Sequence, residues 1–209
     1  MPRVMKPLLL MSATALFLAA CSQQDGDEES AQTTADTQSA SKPVVVLETS
    51  LGNIRMELEH ELARETVANF LLHVRNDFYD SLTFHRVRPG FMIQAGRILP
   101  DRRERLTPAP PIANEAENGL LNVRGAVAMA RTSDPHSATT EFFINLVDNP
   151  TLDFRDMTAR GFGYAVFGHV IDGMDVVDAI AQVRTERTGL FEAIPLEPVV
   201  IYRATIEGG

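Results

Sequence analysis

From residue 44 onward the apolar residues come in short runs broken by turn residues, and only two stretches carry a helical period. Val44–Thr49 is a β-branched run, stopped by Ser50, Leu51, Gly52 and Asn53, and Ile54–Glu59 then alternates apolar with polar. The pair reads as a hairpin whose second strand faces water on one side. Val67, Phe70, Leu71, Val74 and Phe78 fall on one helical stripe, which predicts a helix over 64–77. Strand-like runs follow at 83–88, 91–96, 125–130, 141–147, 164–170 and 197–206, and a second helix fits Met174–Val183 after the Asp172-Gly173 turn. Many short strands with two separated helices point to a mainly β barrel or sandwich whose ends the helices close. The segment 97–124 carries little periodicity and four prolines, Pro100, Pro108, Pro110 and Pro111. A stretch that long without pattern is either functional or an excursion over the surface.

Composition narrows the class of partner. Hydrophobic residues make up 44% and charged residues 22%, which excludes a wholly disordered, collagen-like or coiled-coil chain. The net charge is −9, so there is no basic excess to neutralise phosphates, and nucleic acid is not an expected partner. The single cysteine, Cys21, excludes an intrachain disulfide and a cysteine-based zinc site. It follows Arg3, Lys6 and the apolar run Leu8–Leu18, which is too short for a lasting membrane span but suits the core of an export signal. Leu18-Ala19-Ala20-Cys21 resembles the bacterial lipoprotein signal, and the likeness implies that Cys21 becomes an acylated mature N-terminus. A plain secretory signal, or a chain that starts at Met5, is the alternative.

Ser22–Lys42 has no Leu, Ile, Val, Phe or Tyr, and its acidic residues outnumber its one cation, Lys42. Such a segment cannot offset the entropy of ordering and reads as a flexible tether. The chain thus divides into a signal (1–20), a lipidated cysteine with its tether (21–42) and a folded domain (43–209). Ser22 after the cysteine resembles the outer-membrane sorting pattern, which places the domain on the periplasmic side of the cell envelope, held to a membrane by lipid.

Familiar catalytic patterns are missing from the sequence. The five histidines show no HxxxH or HExxH spacing, and there is no GxSxG elbow or P-loop. Neither a metal nor any other cofactor is expected.

Two blocks carry a resemblance. The first, Phe84–Gly96, reads Phe-His-Arg-Val-Arg-Pro-Gly-Phe-Met-Ile-Gln-Ala-Gly; the second comprises Asn114-Glu115-Ala116, Gly125–Arg131 and Ser137–Asn145. In order and spacing across about 44–206, Tyr164–Gly168 included, the chain resembles the bacterial branch of the cyclophilins, the cyclosporin-binding peptidyl-prolyl isomerases. The resemblance implies a closed eight-stranded antiparallel barrel capped by two α-helices, with which the count of strand-like runs agrees. It implies proline-containing polypeptides as partners; a monomer is expected, although no residue pattern sets the oligomeric state. Arg86 resembles the catalytic arginine, Gln94 the glutamine that positions it, and Phe91 completes that group. Met92, Phe143 and Leu152 resemble the apolar walls for the proline ring, and Ala130 and Arg131 the edge whose backbone pairs with the peptide. Glu141 and Tyr164 complete the binding set. Taken singly, Arg86 would read as a surface ion pair and the phenylalanines as core. Period two sends one of Phe142 and Phe143 inward and the other outward.

The chemistry implied needs no covalent step. Rotation about an X-Pro amide crosses a barrier of about 20 kcal/mol because it breaks resonance. In the twisted form the prolyl nitrogen regains a lone pair, and a guanidinium suits a donor role there because it stays protonated and its donors are fixed. Two positions depart from the family pattern. Glu141 stands where relatives usually carry glutamine, so its carboxylate either pairs with Arg86 and lowers turnover, or points aside. Thr151 precedes Leu152 where cyclosporin-sensitive members carry tryptophan, and the chain has no tryptophan, which implies weak cyclosporin binding. A groove that binds peptide with little turnover, as a holdase or assembly factor, is the alternative function. The arginines of the 97–113 arm, Arg97, Arg102, Arg103 and Arg105, are either contacts for acidic partners or solvated loop charges.

Overall fold

A computed structural model describes residues 42–107 and 109–208. The predicted signal, Cys21 and all of the predicted tether but Lys42 lie outside the described residues. Lys42 itself donates to Glu59 at 2.7 Å, so it belongs with the domain.

The first hairpin forms as its pattern demands. β1 (Val44–Thr49) and β2 (Gly52–Leu58) pair antiparallel around a two-residue turn, with Thr49 opposite Gly52 and Leu47 opposite Ile54. Val45 and Leu47 of one strand and Ile54, Met56 and Leu58 of the other point into the core. α1 (Arg64–Arg75) buries the predicted stripe of Val67, Phe70, Leu71 and Val74, and ends two residues early, where Asp77 takes a positive φ. Its N-cap residue, Ala63, has no side-chain acceptor to offer. Glu115 replaces it from 49 residues away: its carboxylate accepts from the amides of Glu65 (3.1 Å) and Thr66 (2.8 Å) and from the Thr66 hydroxyl (2.7 Å). A carboxylate there meets both the unpaired amides and the positive end of the helix dipole.

The remaining strands are β3 (Arg86–Arg88), β4 (Met92–Ala95), β5 (Ala126–Met129), β6 (Phe142–Asn145), β7 (Val166–Asp172), β8 (Thr185–Thr188), β9 (Phe191–Pro195) and β10 (Ile201–Ile206), with α2 (Met174–Ala181) between β7 and β8. Eight of the ten strands among the described residues form one sheet in the order β10-β1-β2-β7-β5-β6-β4-β3. Inside it, Phe70 of α1 packs on Tyr79, Phe142 and Phe167, with ring centroids 4.9, 5.4 and 5.1 Å away. Burial pushes the Tyr79 hydroxyl well above the usual tyrosine range, and it donates to the Thr140 carbonyl at 3.1 Å.

The closed barrel implied by the sequence is not what forms. The sheet is a curled half-barrel whose outer strands, β3 and β10, share no ladder. The chain just before β3 meets the start of β10 at the isolated bridge Thr83↔Val200, where the Ser81 amide donates to the Ile201 carbonyl (2.7 Å), the Ile201 amide to the Leu82 carbonyl (2.7 Å) and the Phe84 amide to the Val199 carbonyl (3.0 Å). The physical reason lies in the register. Continuing it from Thr83↔Val200 would set Pro198 opposite His85, and the proline ring fixes φ at about −65°, away from the roughly −140° of an antiparallel strand.

Two further features go beyond the sequence pattern. The polar run Thr185–Thr188, with no apolar alternation, nevertheless pairs with Phe191–Pro195 as a separate hairpin. The patternless segment 97–124 opens with a small loop closed on itself, in which Ile98 bridges Glu104 and the Arg105 amide donates to the Arg97 carbonyl at 2.8 Å. Its arginines are spent internally: Arg97 on Glu104 and Glu141, Arg102 on Glu186, Arg103 on Asp101, and Arg105 on the Phe78 and Asp80 carbonyls.

Between β4 and this loop stands Gly96, at φ 104°, where an added Cβ would sit 2.5 Å from the Thr140 carbonyl oxygen of the chain leading into β6. Both the dihedral and the backbone contact resist a side chain. Gly96→Ala is expected to cost about 3 kcal/mol and lower Tm by roughly 10 °C in a calorimetric scan. A Tm within a degree of wild type would show that the two strands are free to part there.

Candidate active site

The strands β4, β6 and β5 are buried on both faces, and the pleat sorts their side chains into two sets. Ile93, Ala95, Phe142, Ile144, Val127 and Met129 face the core. Met92, Phe143, Ala126 and Ala128 face outward into a second apolar cluster, where Phe91, Ala130, Leu152 and Tyr164 pack on them. The cross-strand register then lines up the chemistry: Arg86 of β3 lies opposite Gln94 of β4, and Gln94 lies opposite Phe143 of β6. Pro89 and Gly90 (φ 71°) make the turn that brings β3 and β4 together, because proline presets the first turn position and glycine accepts the positive φ of the second.

All ten sequence-predicted site residues outside the N-terminal segment line one cavity of about 930 Å³: Arg86, Phe91, Met92, Gln94, Ala130, Arg131, Glu141, Phe143, Leu152 and Tyr164. Met92 and Phe143 form its buried floor; Phe91, Leu152 and Tyr164 are half-buried walls. Tyr164 stands edge-on to Phe143, with ring centroids 5.6 Å apart, and the Arg131 guanidinium lies 4.6 Å over the Tyr164 ring. That guanidinium also donates to the Gly163, Thr132 and Ala159 carbonyls, so Arg131 fixes the wall through its side chain. Thr151 lies exposed beside Leu152 on the single helical turn Pro150–Leu152.

The walls are tied from behind by three buried asparagines. Asn149 donates to the Phe91 carbonyl (3.0 Å) and to Asn145 (2.8 Å); Asn145 donates to Asn122 and to the Ala126 carbonyl; Asn122 donates to the Leu152 carbonyl (3.2 Å). Buried amides need partners for every polar atom, so the network holds three loops in one arrangement.

The polar side of the cavity is a chain of donors and acceptors. Arg86, 33% exposed, donates from Nη1 to Gln94 Oε1 at 3.3 Å. Gln94 Nε2 donates to Glu141 Oε2 at 2.7 Å, and His85 Nε2 lies 3.2 Å from the same oxygen. Arg97 Nη1 donates to Glu141 Oε1 at 3.0 Å. Burial alone would raise the Glu141 carboxyl, but His85, Arg97 and Gln94 overcome it and hold it at about 2, from an ordinary value of 4.5. Glu141 does not pair with Arg86; it meets that guanidinium only through Gln94. On its open side Arg86 has Glu192, 54% exposed and 3.5 Å away, which Arg88 shares at 3.3 Å. An exposed pair at that distance is weak and leaves the guanidinium available.

Sequence reasoning missed the hairpin β8–β9, whose Thr188, Gly189, Leu190, Phe191 and Glu192 complete the cavity rim. Leu190, at its tip, is 99% exposed. The one available signal was the Gly189-Leu190 pair between two short polar and apolar runs. His85 was read as part of a motif but not as a partner of Glu141. Among the described residues one group of possible metal ligands comes together, Glu57, Glu59 and His169. The Lys42 ammonium already lies 2.7 Å from Glu59 and 3.6 Å from Glu57, so it supplies the cation those carboxylates need.

Comparison with known proteins fits this geometry. The family model for cyclophilin type peptidyl-prolyl cis-trans isomerases matches residues 44–206. The chain is 49% identical over 162 residues to peptidyl-prolyl cis-trans isomerase A of Dickeya dadantii, covering 78% of this chain and 83% of that one. To peptidyl-prolyl cis-trans isomerase B of Escherichia coli it is 48% identical over 163 residues, covering 78% and 99%. A solved cyclophilin type isomerase of Cryptosporidium parvum shares the fold, with a TM-score of 0.66 at 21% identity, over 80% of this chain and 99% of that one.

The depressed Glu141 carboxyl makes a stability prediction. Its folded pKa lies below its unfolded one, so its contribution is fully present above about pH 5 and is lost as pH falls through 2. The shift corresponds to roughly 3 kcal/mol. Urea denaturation between pH 6 and pH 2 is expected to show wild type losing about that much more than Glu141→Gln. Parallel loss in the two proteins would mean that the carboxyl titrates normally.

Proposed function

The chain belongs to the cyclophilin family and is a peptidyl-prolyl cis-trans isomerase, and we propose that Arg86 drives the turnover by stabilising the twisted X-Pro amide above the apolar cavity. The observation that carries this reading is the convergence of Arg86 and the apolar set on one cavity, with the guanidinium half-exposed and held by a single 3.3 Å bond from the Gln94 side. The proline ring sits on Met92 and Phe143 between Phe91 and Leu152. The peptide runs along Ala130 and Arg131. The Ala130 amide is taken by the Glu141 carbonyl at 2.8 Å, and the alternation of the strand turns the backbone of Arg131 to the other edge, where the peptide pairs.

As the amide twists, its nitrogen becomes an acceptor, and Arg86 gains a hydrogen bond that neither planar form can offer. Binding that exists only at the top of the barrier raises kcat. Gln94 holds the guanidinium through its amide oxygen, and the apolar floor excludes water from the reacting bond. No proton is transferred, so the guanidinium need not titrate.

The remaining parts of the reading concern where the enzyme works. Cys21 carries the lipid, Ser22–Ser41 is the acidic tether, and the domain acts as a monomer on proline-containing segments of envelope proteins from the periplasmic side of the outer membrane. Support for this comes from the signal-like run ahead of Cys21 and the tether's composition. Several acyl chains on one residue hold a protein firmly, at about 0.8 kcal/mol per buried CH₂.

Two experiments test these readings. Exchange NMR on a short X-Pro peptide is expected to show kcat/KM about 100-fold lower for Arg86→Ala, with peptide affinity largely kept. Peptide binding without exchange in wild type as well would replace the enzyme reading with that of a holdase. Separately, Cys21→Ser is expected to abolish palmitate labelling and to move the full chain from the membrane to the soluble fraction of the envelope. Retention of the variant in the membrane would remove the lipid anchor from the account.

A further inference from the structure

Glu141 poses a problem that a glutamine in its place would not. It sets a half-buried carboxylate one amide away from the guanidinium proposed to do the work: Arg86 Nη1 lies 3.3 Å from Gln94 Oε1, and Gln94 Nε2 lies 2.7 Å from Glu141 Oε2. In a partly buried site the attraction between the two charges is strong, and a guanidinium bonded to a carboxylate has fewer donors for a substrate.

The carboxylate is only 19% exposed and is met from two sides. His85 and Gln94 share its Oε2, and Arg97 takes Oε1 at 3.0 Å. Arg97 is itself fixed. Its Nε donates to Glu104, which the bridge Ile98↔Glu104 holds across the loop from it. Gly96, confined against the Thr140 carbonyl, sets where that loop leaves β4. A loop with no regular structure thus delivers one cation to the far oxygen of one half-buried acid.

Resting on the assignment of Arg86 as the catalytic group, we propose that Arg97 is a positioning residue which holds the Glu141 carboxylate away from Arg86 and so keeps the Arg86 guanidinium free for the prolyl amide. Arg97 touches no reacting atom. Its effect depends on residue 141 being an acid: with a neutral amide at 141 there is no charge to hold, and Arg97 becomes dispensable for turnover.

The test is a mutant cycle in the full chain: wild type, Arg97→Ala, Arg97→Lys, Glu141→Gln and the double variant, each checked for folding by its NMR spectrum. Exchange NMR is expected to show kcat about tenfold lower for Arg97→Ala than for wild type with KM little changed, near-complete recovery in Arg97→Lys, and Arg97→Ala/Glu141→Gln within about twofold of Glu141→Gln alone. The Arg86 Nε resonance is expected to move in Arg97→Ala and to return in the double variant. Unchanged kcat in Arg97→Ala, or the same tenfold loss when Arg97→Ala is added to Glu141→Gln, would overturn the proposal; the latter result would make Arg97 a loop support only. Should Arg97→Ala fail to fold, Arg97→Gln makes the same comparison. Arg86→Ala separates the two readings: wild-type turnover there removes the catalytic assignment, whereas a slow Arg86→Ala beside a fast Arg97→Ala removes only the positioning role.

Discussion

A strand has two faces, and in this protein both are used at once. The hydrogen-bonded pleat of β6 sends Phe142 into the aromatic core and Phe143 into the outward-facing cavity, with no freedom to exchange them. Neighbouring strands repeat the division, Ile93 against Met92 and Val127 against Ala128. The core therefore sets the floor of the site to within the play of a packed interior. A slip of one residue in any of these ladders would empty the core and fill the cavity together.

What stands on that floor is held by buried polar groups, whose demands are stricter than those of the apolar walls. The Asn122, Asn145 and Asn149 amides leave little room for the loops carrying Phe91 and Leu152 to drift. The Glu141 carboxylate does the same for the polar rim, gathering His85, Gln94 and Arg97 from the β3–β4 hairpin and its two flanks. A largely desolvated acid stripped of its donors is costly, so each of these contacts helps hold the rim in one arrangement.

Much of this was legible in the sequence, for reasons specific to each part. The helical stripe of α1 and the alternation in β2 arise from one buried face each, and such faces leave a period in the residues. The ten cavity residues were identified because motif order and spacing carried them, and the structure brings them to one place. The hairpin β8–β9 left no such trace, since Thr185–Thr188 buries little and has no alternation to show. The open seam was hidden for another reason: a proline is visible at 198, but that it falls opposite His85 is a matter of register between segments more than 100 residues apart. The partners of Glu141 were equally out of reach, because an ion pair between 97 and 141 leaves no local pattern.

The cap on α1 bears on the order in which the chain folds. A helix of 12 residues is marginal on its own, and this one lacks a side-chain acceptor at its own N-terminus. The missing acceptor is Glu115, on a segment that the ribosome delivers only after β3 and β4. The first turn of α1 is therefore completed late, after a loop of 49 residues has closed, and its early form is frayed at the end nearest the sheet's first strands. An isomerase that shortens the slow steps of other chains thus carries a long-range step of its own, one that closes by docking rather than by bond rotation.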